Sequence, residues 1–167
     1  VTNFSKWCLE KATPHILVNN AGNFVPGKLQ DEADGQLEQQ LNTNLFSAYH
    51  LTRAILPSML KTNNGHIFNI CSIASLQAYE NGGAYSISKF ALLGFSKNLR
   101  LELKESGIKV TAVCPGAVYT NSWAGSGIDP KRIMESSDIA KMIYAATQLS
   151  PQAVVEDIVM RPQLGDL

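Results

Sequence analysis

Apolar residues along this chain fall into two alternating patterns. Short unbroken runs read as buried strands, and long stretches with apolar positions three and four apart read as helices. The first run, Ile16-Leu17-Val18, is too short for a helix and ends in Asn19-Asn20-Ala21-Gly22. Before it, residues 2–12 are polar with Phe4, Trp7 and Leu9 interspersed, the end of a helix stopped by Pro14. From about Asp31 to Leu60, the positions Leu37, Leu41, Leu45, Ala48, Leu51 and Ile55 predict one long helix, ended by Pro57 and Asn63-Asn64-Gly65. His66 to Cys71 is a second strand. A second long helix runs from about Ala84 to Glu105, with Gly107 just past its end. Val110 to Val113 is a third strand, closed by Pro115-Gly116. A loop with Gly125, Gly127 and Pro130 leads to a helix over 137–149, capped by Ser136 or Ser137 with Asp138 in its first turn. Val154 to Met160 is a fourth strand, ended by Arg161-Pro162.

Continuous apolar strands joined by long helices imply parallel strands with right-handed crossovers. The expected fold class is therefore α/β: about four strands of a Rossmann-like doubly wound parallel sheet with crossover helices. The 167 residues are enough for one domain, and residues 1–167 are read as one, part of that fold.

Composition narrows the class of partner. Apolar residues make up 45% and charged residues 17%, which is globular rather than disordered. Lys plus Arg and Asp plus Glu are 14 each, so net charge favours neither nucleic acid nor an anionic membrane. No apolar run approaches the ~20 residues of a membrane span. Cys8, Cys71 and Cys114 lack metal-ligand spacing and read as reduced thiols in a cytoplasmic protein. Val1 to Glu10 has no basic flank or long apolar stretch and does not read as a signal peptide. With Val rather than Met in first place, the chain is expected to begin inside a longer protein.

Open α/β sheets bind ligands at the carboxyl ends of their strands, and three strand ends here carry polar or turn residues: Asn19 to Gly22, Ser72, and Pro115-Gly116. Tyr85 and Lys89 are four apart and share one helix face near Ser72. A carbonyl reductase needs a proton donor at the carbonyl oxygen. A phenol serves if its pKa falls about three units, or ~4 kcal/mol, and one ammonium ~4 Å away supplies about that much. Singly, each motif reads more blandly: a Tyr beside an exposed Lys, a turn, strand punctuation, a helix cap, and for Asn44 an exposed helix residue. The sequence Gly125-Ser126-Gly127 follows no strand directly and opens no helix, so it is read as part of a substrate-covering loop rather than a phosphate loop. His15 is read as structural.

In this order the segments Leu17-Val18-Asn19-Asn20-Ala21-Gly22, Asn42-Thr43-Asn44-Leu45, Ile70-Cys71-Ser72-Ile73-Ala74-Ser75, Tyr85-Ser86-Ile87-Ser88-Lys89 and Cys114-Pro115-Gly116-Ala117-Val118-Tyr119-Thr120 resemble the classical short-chain dehydrogenases/reductases. The resemblance runs from about residue 14 onward and includes the 13-residue step from Ser72 to Tyr85. It implies hydride transfer between a nicotinamide cofactor and a small-molecule carbonyl or alcohol. NADP(H) is favoured over NAD(H), although the family's Gly-rich phosphate turn and its cofactor-selecting strand have no counterpart among these residues. Tyr85 would be the acid/base, Lys89 would lower its pKa and bind the nicotinamide ribose, Ser72 would hold the substrate oxygen, and Asn44 would disturb its helix and anchor a water. Asn20, Ala21 and Gly22 would line the adenosine side, and Pro115, Gly116, Val118 and Thr120 the nicotinamide and pyrophosphate. Ala74, Gln77, Ala78, Tyr79, Tyr119 and Trp123 are expected to line the substrate pocket. The family also implies a homodimer or homotetramer. A 3-oxoacyl-carrier-protein reductase-like role is a further expectation, with Lys61 and Lys104 as candidates for carrier docking. The alternatives are a truncated, non-catalytic binding or oligomerisation module on the same fold, and a sugar-nucleotide epimerase with the same Tyr/Lys pair.

Overall fold

The computed structural model describes residues 1–123 and 125–167. In chain order it contains α1 (Thr2–Lys11), β1 (Ile16–Asn19), α2 (Gln36–Leu41), α3 (Ser47–Thr62), β2 (Gly65–Ile70), α4 (Gly83–Leu103), β3 (Ile108–Pro115), β4 (Val118–Tyr119), β5 (Met134–Glu135), α5 (Ser136–Thr147) and β6 (Asp157–Met160). Strands β1, β2, β3 and β6 form a four-stranded parallel sheet in that order. This is the expected α/β, Rossmann-like arrangement.

Strand alternation sends one set of side chains to each face. Leu17, Ile67 and Val110 meet Ile55, Met59, Leu99 and Leu103 of α3 and α4. Phe68, Val113 and Ile158 on the opposite face meet Ala146 of α5. Each Leu, Ile, Val, Phe or Met side chain so buried contributes about 1.5–3 kcal/mol. At the edge strand β1 the inward Leu17 is 6% exposed, whereas outward Ile16 and Val18 are 50% and 40% exposed. The α3/α4 face also carries a polar ladder. Asn19 Nδ2 donates to Thr52 Oγ1 at 2.9 Å and to Asn69 Oδ1 at 2.8 Å, and Asn69 Nδ2 donates to Ser96 Oγ at 2.8 Å.

Several boundaries differ from expectation for identifiable reasons. The long helix expected from Asp31 starts at Gln36, because Gly35 takes φ +84 and sets the chain direction there. It is interrupted by a π turn at Asn42–Phe46. It runs through Pro57 to Thr62, since Pro57 lies on the exposed side, where water can satisfy a freed carbonyl. Asn63, at φ 45, ends it. Neither Ser136 nor Ser137 caps α5; Glu135 holds the N-cap position and makes no side-chain cap, while Asp138 is in the first turn as expected. Strands β4 and β5, two residues each, are too short to leave a periodic signal.

Candidate active site

The carboxyl ends of β1, β2 and β3 lie side by side. Asn19 is in register with Asn69, and Ile70 with Val113. Ser72 follows β2 and opens a short 3-10 turn at Ile73–Ser75, where its Oγ accepts from the Ala74 N–H at 3.1 Å and the Ser75 hydroxyl accepts from the Ser72 N–H. That capping box fixes the Ser72 rotamer.

Helix α4 starts at the same end and brings Tyr85 to Ser72. Burial pushes the Tyr85 phenol above the usual tyrosine range, and a hydrogen bond with Ser72 pulls it partly back. Lys89 is 5% exposed; its Nζ donates to the Ile70 carbonyl at 2.8 Å and lies 5.8 Å from the Tyr85 ring centre. Burial pulls the Lys89 ammonium down to about 8. Burial is thus the largest influence on the Tyr85 phenol, in the direction opposite to the lowering expected from Lys89.

Asn44 sits inside the π turn and is fully buried, not exposed as an isolated helix Asn would be. Its Oδ1 accepts from the Asn23 N–H at 2.8 Å. Its Nδ2 is 3.1 Å from Asn23 O, 2.8 Å from Gln40 Oε1 and 2.9 Å from Ser88 Oγ. Ser88 Oγ in turn donates to the Tyr85 carbonyl at 2.7 Å. One network thus joins the π turn to the first turns of α4.

Asn20, Ala21 and Gly22 are exposed beyond β1. A Cβ on Gly22 would stand 3.2 Å from Asn44 Oδ1 and 3.5 Å from Lys89 Nζ, so this glycine keeps open a space that those two polar groups face. Pro115, Gly116 and Val118 are half-buried at the end of β3, with Thr120 exposed just beyond. Among the expected substrate residues, Gln77 and Tyr79 are exposed, Trp123 is half-buried, and Ala74 is buried with its carbonyl accepting from Ser86 Oγ at 3.0 Å. Burial and the nearby Tyr85 push the Tyr79 phenol up to about 12. Tyr119 lines a groove of about 1030 Å³ with Arg132, Ser137, Lys141 and Met160, and neither Ser72 nor Tyr85 is part of that lining. Lys61 and Lys104 lie at the carboxyl ends of α3 and α4, hence at the opposite end of the sheet from Ser72. Cys71 and Cys114 are neighbouring buried free thiols; their mutual hydrogen bond and burial push Cys114 up.

Phe24, Glu32, Gln40 and Ser88 escaped the sequence reading. The Phe24 ring meets the Tyr85 ring edge-on, 4.8 Å between centres.

Residues 2–130 match the pattern of the short chain dehydrogenase family. The chain is 36% identical over 152 residues to the sepiapterin reductase of Chlorobaculum tepidum, covering 90% of this chain and 62% of that protein. The serine dehydrogenase crystal structure from Escherichia coli superposes with TM-score 0.82 at 28% identity, covering 95% of this chain and 68% of that one. A closed form of serine dehydrogenase complexed with NADP+ gives TM-score 0.86 at 26% identity, with 95% and 68% covered. A 4-hydroxyisoleucine dehydrogenase complexed with NADH gives 0.81 at 26%, with 95% and 72% covered. The chain belongs to the short-chain dehydrogenase/reductase family. It spans about 62% of the length of that sepiapterin reductase.

Proposed function

We propose that this chain carries the proton-handling half of an NAD(P)(H)-dependent carbonyl reductase or alcohol dehydrogenase. The observation that carries the reading is Tyr85 set against Ser72, with Lys89 buried beside the Tyr85 ring. A buried ammonium costs stability, and Lys89 has no carboxylate partner among the described residues. A purely structural or non-catalytic module leaves that cost unexplained.

The space kept by Gly22 over Asn44 Oδ1 and Lys89 Nζ fits the ribose end of a nicotinamide nucleotide. Lys89 would hold the ribose hydroxyls, Asn20 to Gly22 the adenosine side, and Pro115, Gly116, Val118 and Thr120 the nicotinamide and pyrophosphate. When bound, the cofactor supplies or takes the hydride. Ser72 Oγ–H holds the substrate oxygen. Tyr85 donates its proton to that oxygen in reduction and, as the phenolate, takes one back in oxidation. Lys89, ionising near pH 8, returns a proton to the phenolate, resupplied through a water on the Asn44 side. NADP(H) is favoured, in line with the NADP+ complex above, and NAD(H) is the alternative. The substrate is a small-molecule ketone, aldehyde or alcohol bordered by Gln77, Tyr79 and Trp123. The distance of Lys61 and Lys104 from Ser72 gives a carrier-protein substrate no support.

Tyr49, Ile87, Phe90 and Leu101, exposed along α3 and α4, with exposed Phe46 just before α3, support a homodimer or homotetramer; a concentration-independent monomer mass in light scattering contradicts it. The functional test is a panel of carbonyls and alcohols with NADPH and NADH, run on the full-length protein. Turnover with at least one pair is expected. Absence of turnover together with absence of cofactor binding overturns the reading.

A further inference from the structure

Between Asn23 and Glu32 the chain forms only a short turn at Leu29–Asp31, yet it touches the site repeatedly. Asn23 grips both ends of the Asn44 carboxamide, and Phe24 abuts the Tyr85 ring. The Gly27 N–H donates to the Asn81 carbonyl at 2.9 Å. The segment then ends on Glu32, whose Oε1 accepts from the Ala84 N–H at 2.7 Å.

Ala84 is the residue before Tyr85, in the first turn of α4. That turn has no cap of its own: the N-cap residue is Gly82, which offers no side chain. The N–H groups there are unpaired by the helix and carry its positive dipole end. Glu32, 52 residues upstream, supplies the missing acceptor. The backbone is shaped for it. Gly83 has φ +39, and a Cβ there would overlap Glu32 Oε1 and the Gly27 carbonyl; a Cβ on Gly27 would lie 3.3 Å from Glu32 Cγ. Two glycines thin the chain where the carboxylate passes.

We propose that Glu32 is a positioning residue: by capping α4 from outside, it sets where the helix begins, and so where the Tyr85 hydroxyl stands relative to Ser72. This rests on Tyr85 being the proton donor proposed above. A misplaced acid slows the chemical step while leaving cofactor contacts intact, so kcat falls and the KM for cofactor does not.

The test compares Glu32→Ala and Glu32→Gln in the protein by amide hydrogen exchange and by steady-state kinetics with NADPH. Glu32→Ala is expected to speed exchange at Ala84 and to lower kcat, each about tenfold or more, with KM for NADPH within about twofold. Glu32→Gln keeps an acceptor oxygen and is expected to restore both to within about threefold of wild type. Should Glu32→Ala not fold, Glu32→Asp, one methylene too short to reach, takes its place with the same expectation. Wild-type exchange at Ala84 in the truncated variant, unchanged kcat, or equal losses in Gln and Ala would overturn the proposal. A wild-type protein that binds and turns over no substrate overturns the functional reading instead, and exchange at Ala84 still decides whether Glu32 holds the helix.

Discussion

Lys89 Nζ donates to the Ile70 carbonyl at 2.8 Å and stands 5.8 Å from the centre of the Tyr85 ring. The ammonium is thus anchored to the end of β2, not to the phenol. Its burial brings its pKa to about 8, below the unfolded value, so the unfolded chain binds more protons between about pH 8 and 10.5. Stability therefore rises with pH across that window, and below it the charged side chain is a standing cost.

Lys89→Met should accordingly stabilise the fold at pH 7 by about 1–2 kcal/mol, the lost Ile70 bond offsetting part of the gain. The gain should shrink by pH 10, and turnover should be lost. Urea denaturation at the two pH values measures this. A variant less stable than wild type at pH 7 contradicts the account of Lys89 as a function-imposed burden.

His66 gives the opposite end of the pH range its signal. Thr111 Oγ1 donates to the Val155 carbonyl, so it accepts from the His66 Nε2–H at 2.7 Å, and the ring stacks on Phe68. Burial, aided by Lys109, lowers His66 from 6.5 to about 4. The unfolded state binds the proton first, so stability is full above about pH 6.5 and falls as pH drops toward 4. The loss should reach about 2 kcal/mol. His66→Gln, which cannot titrate, should flatten that slope in urea melts at pH 7 and 4.5; an equally steep slope would show that other groups cause it.

Two glycines separate the cost of conformation from the cost of space. Gly35 has φ +84 and nothing near its missing Cβ, whereas Gly107 has φ +70 and a Cβ there would overlap the Asn63 carbonyl oxygen. Gly35→Ala should cost about 1–2 kcal/mol, the left-handed penalty alone. Gly107→Ala adds the steric clash and should cost about 3 kcal/mol or more. Similar melting temperatures for the two variants would contradict this.

The strands and the residues after them were legible because apolar runs and turn residues are local signals. Ser72, Tyr85 and Lys89 could be picked out because a helix repeat and a strand end put them together. Asn44 was legible only through the family resemblance; a π turn changes no composition. Glu32 and Gln40 were not legible, since a carboxylate that caps a helix 52 residues away looks like any surface acid until the fold brings it there. Phe24 likewise lies in a segment without periodicity. The direction of the Tyr85 shift was missed because a pair of residues four apart gives their separation along a helix but not how deeply they are buried.

In the proposed reaction the Tyr85 hydroxyl moves the substrate's proton. Its test is Tyr85→Phe in the complete enzyme, a change that removes one oxygen and keeps the ring that Phe24 contacts. The measurement is single-turnover reduction alongside calorimetric titration of NADPH. The account predicts a rate reduced by about 10²–10⁴-fold with cofactor affinity unchanged within about twofold. A variant that keeps more than about a tenth of the wild-type rate contradicts it.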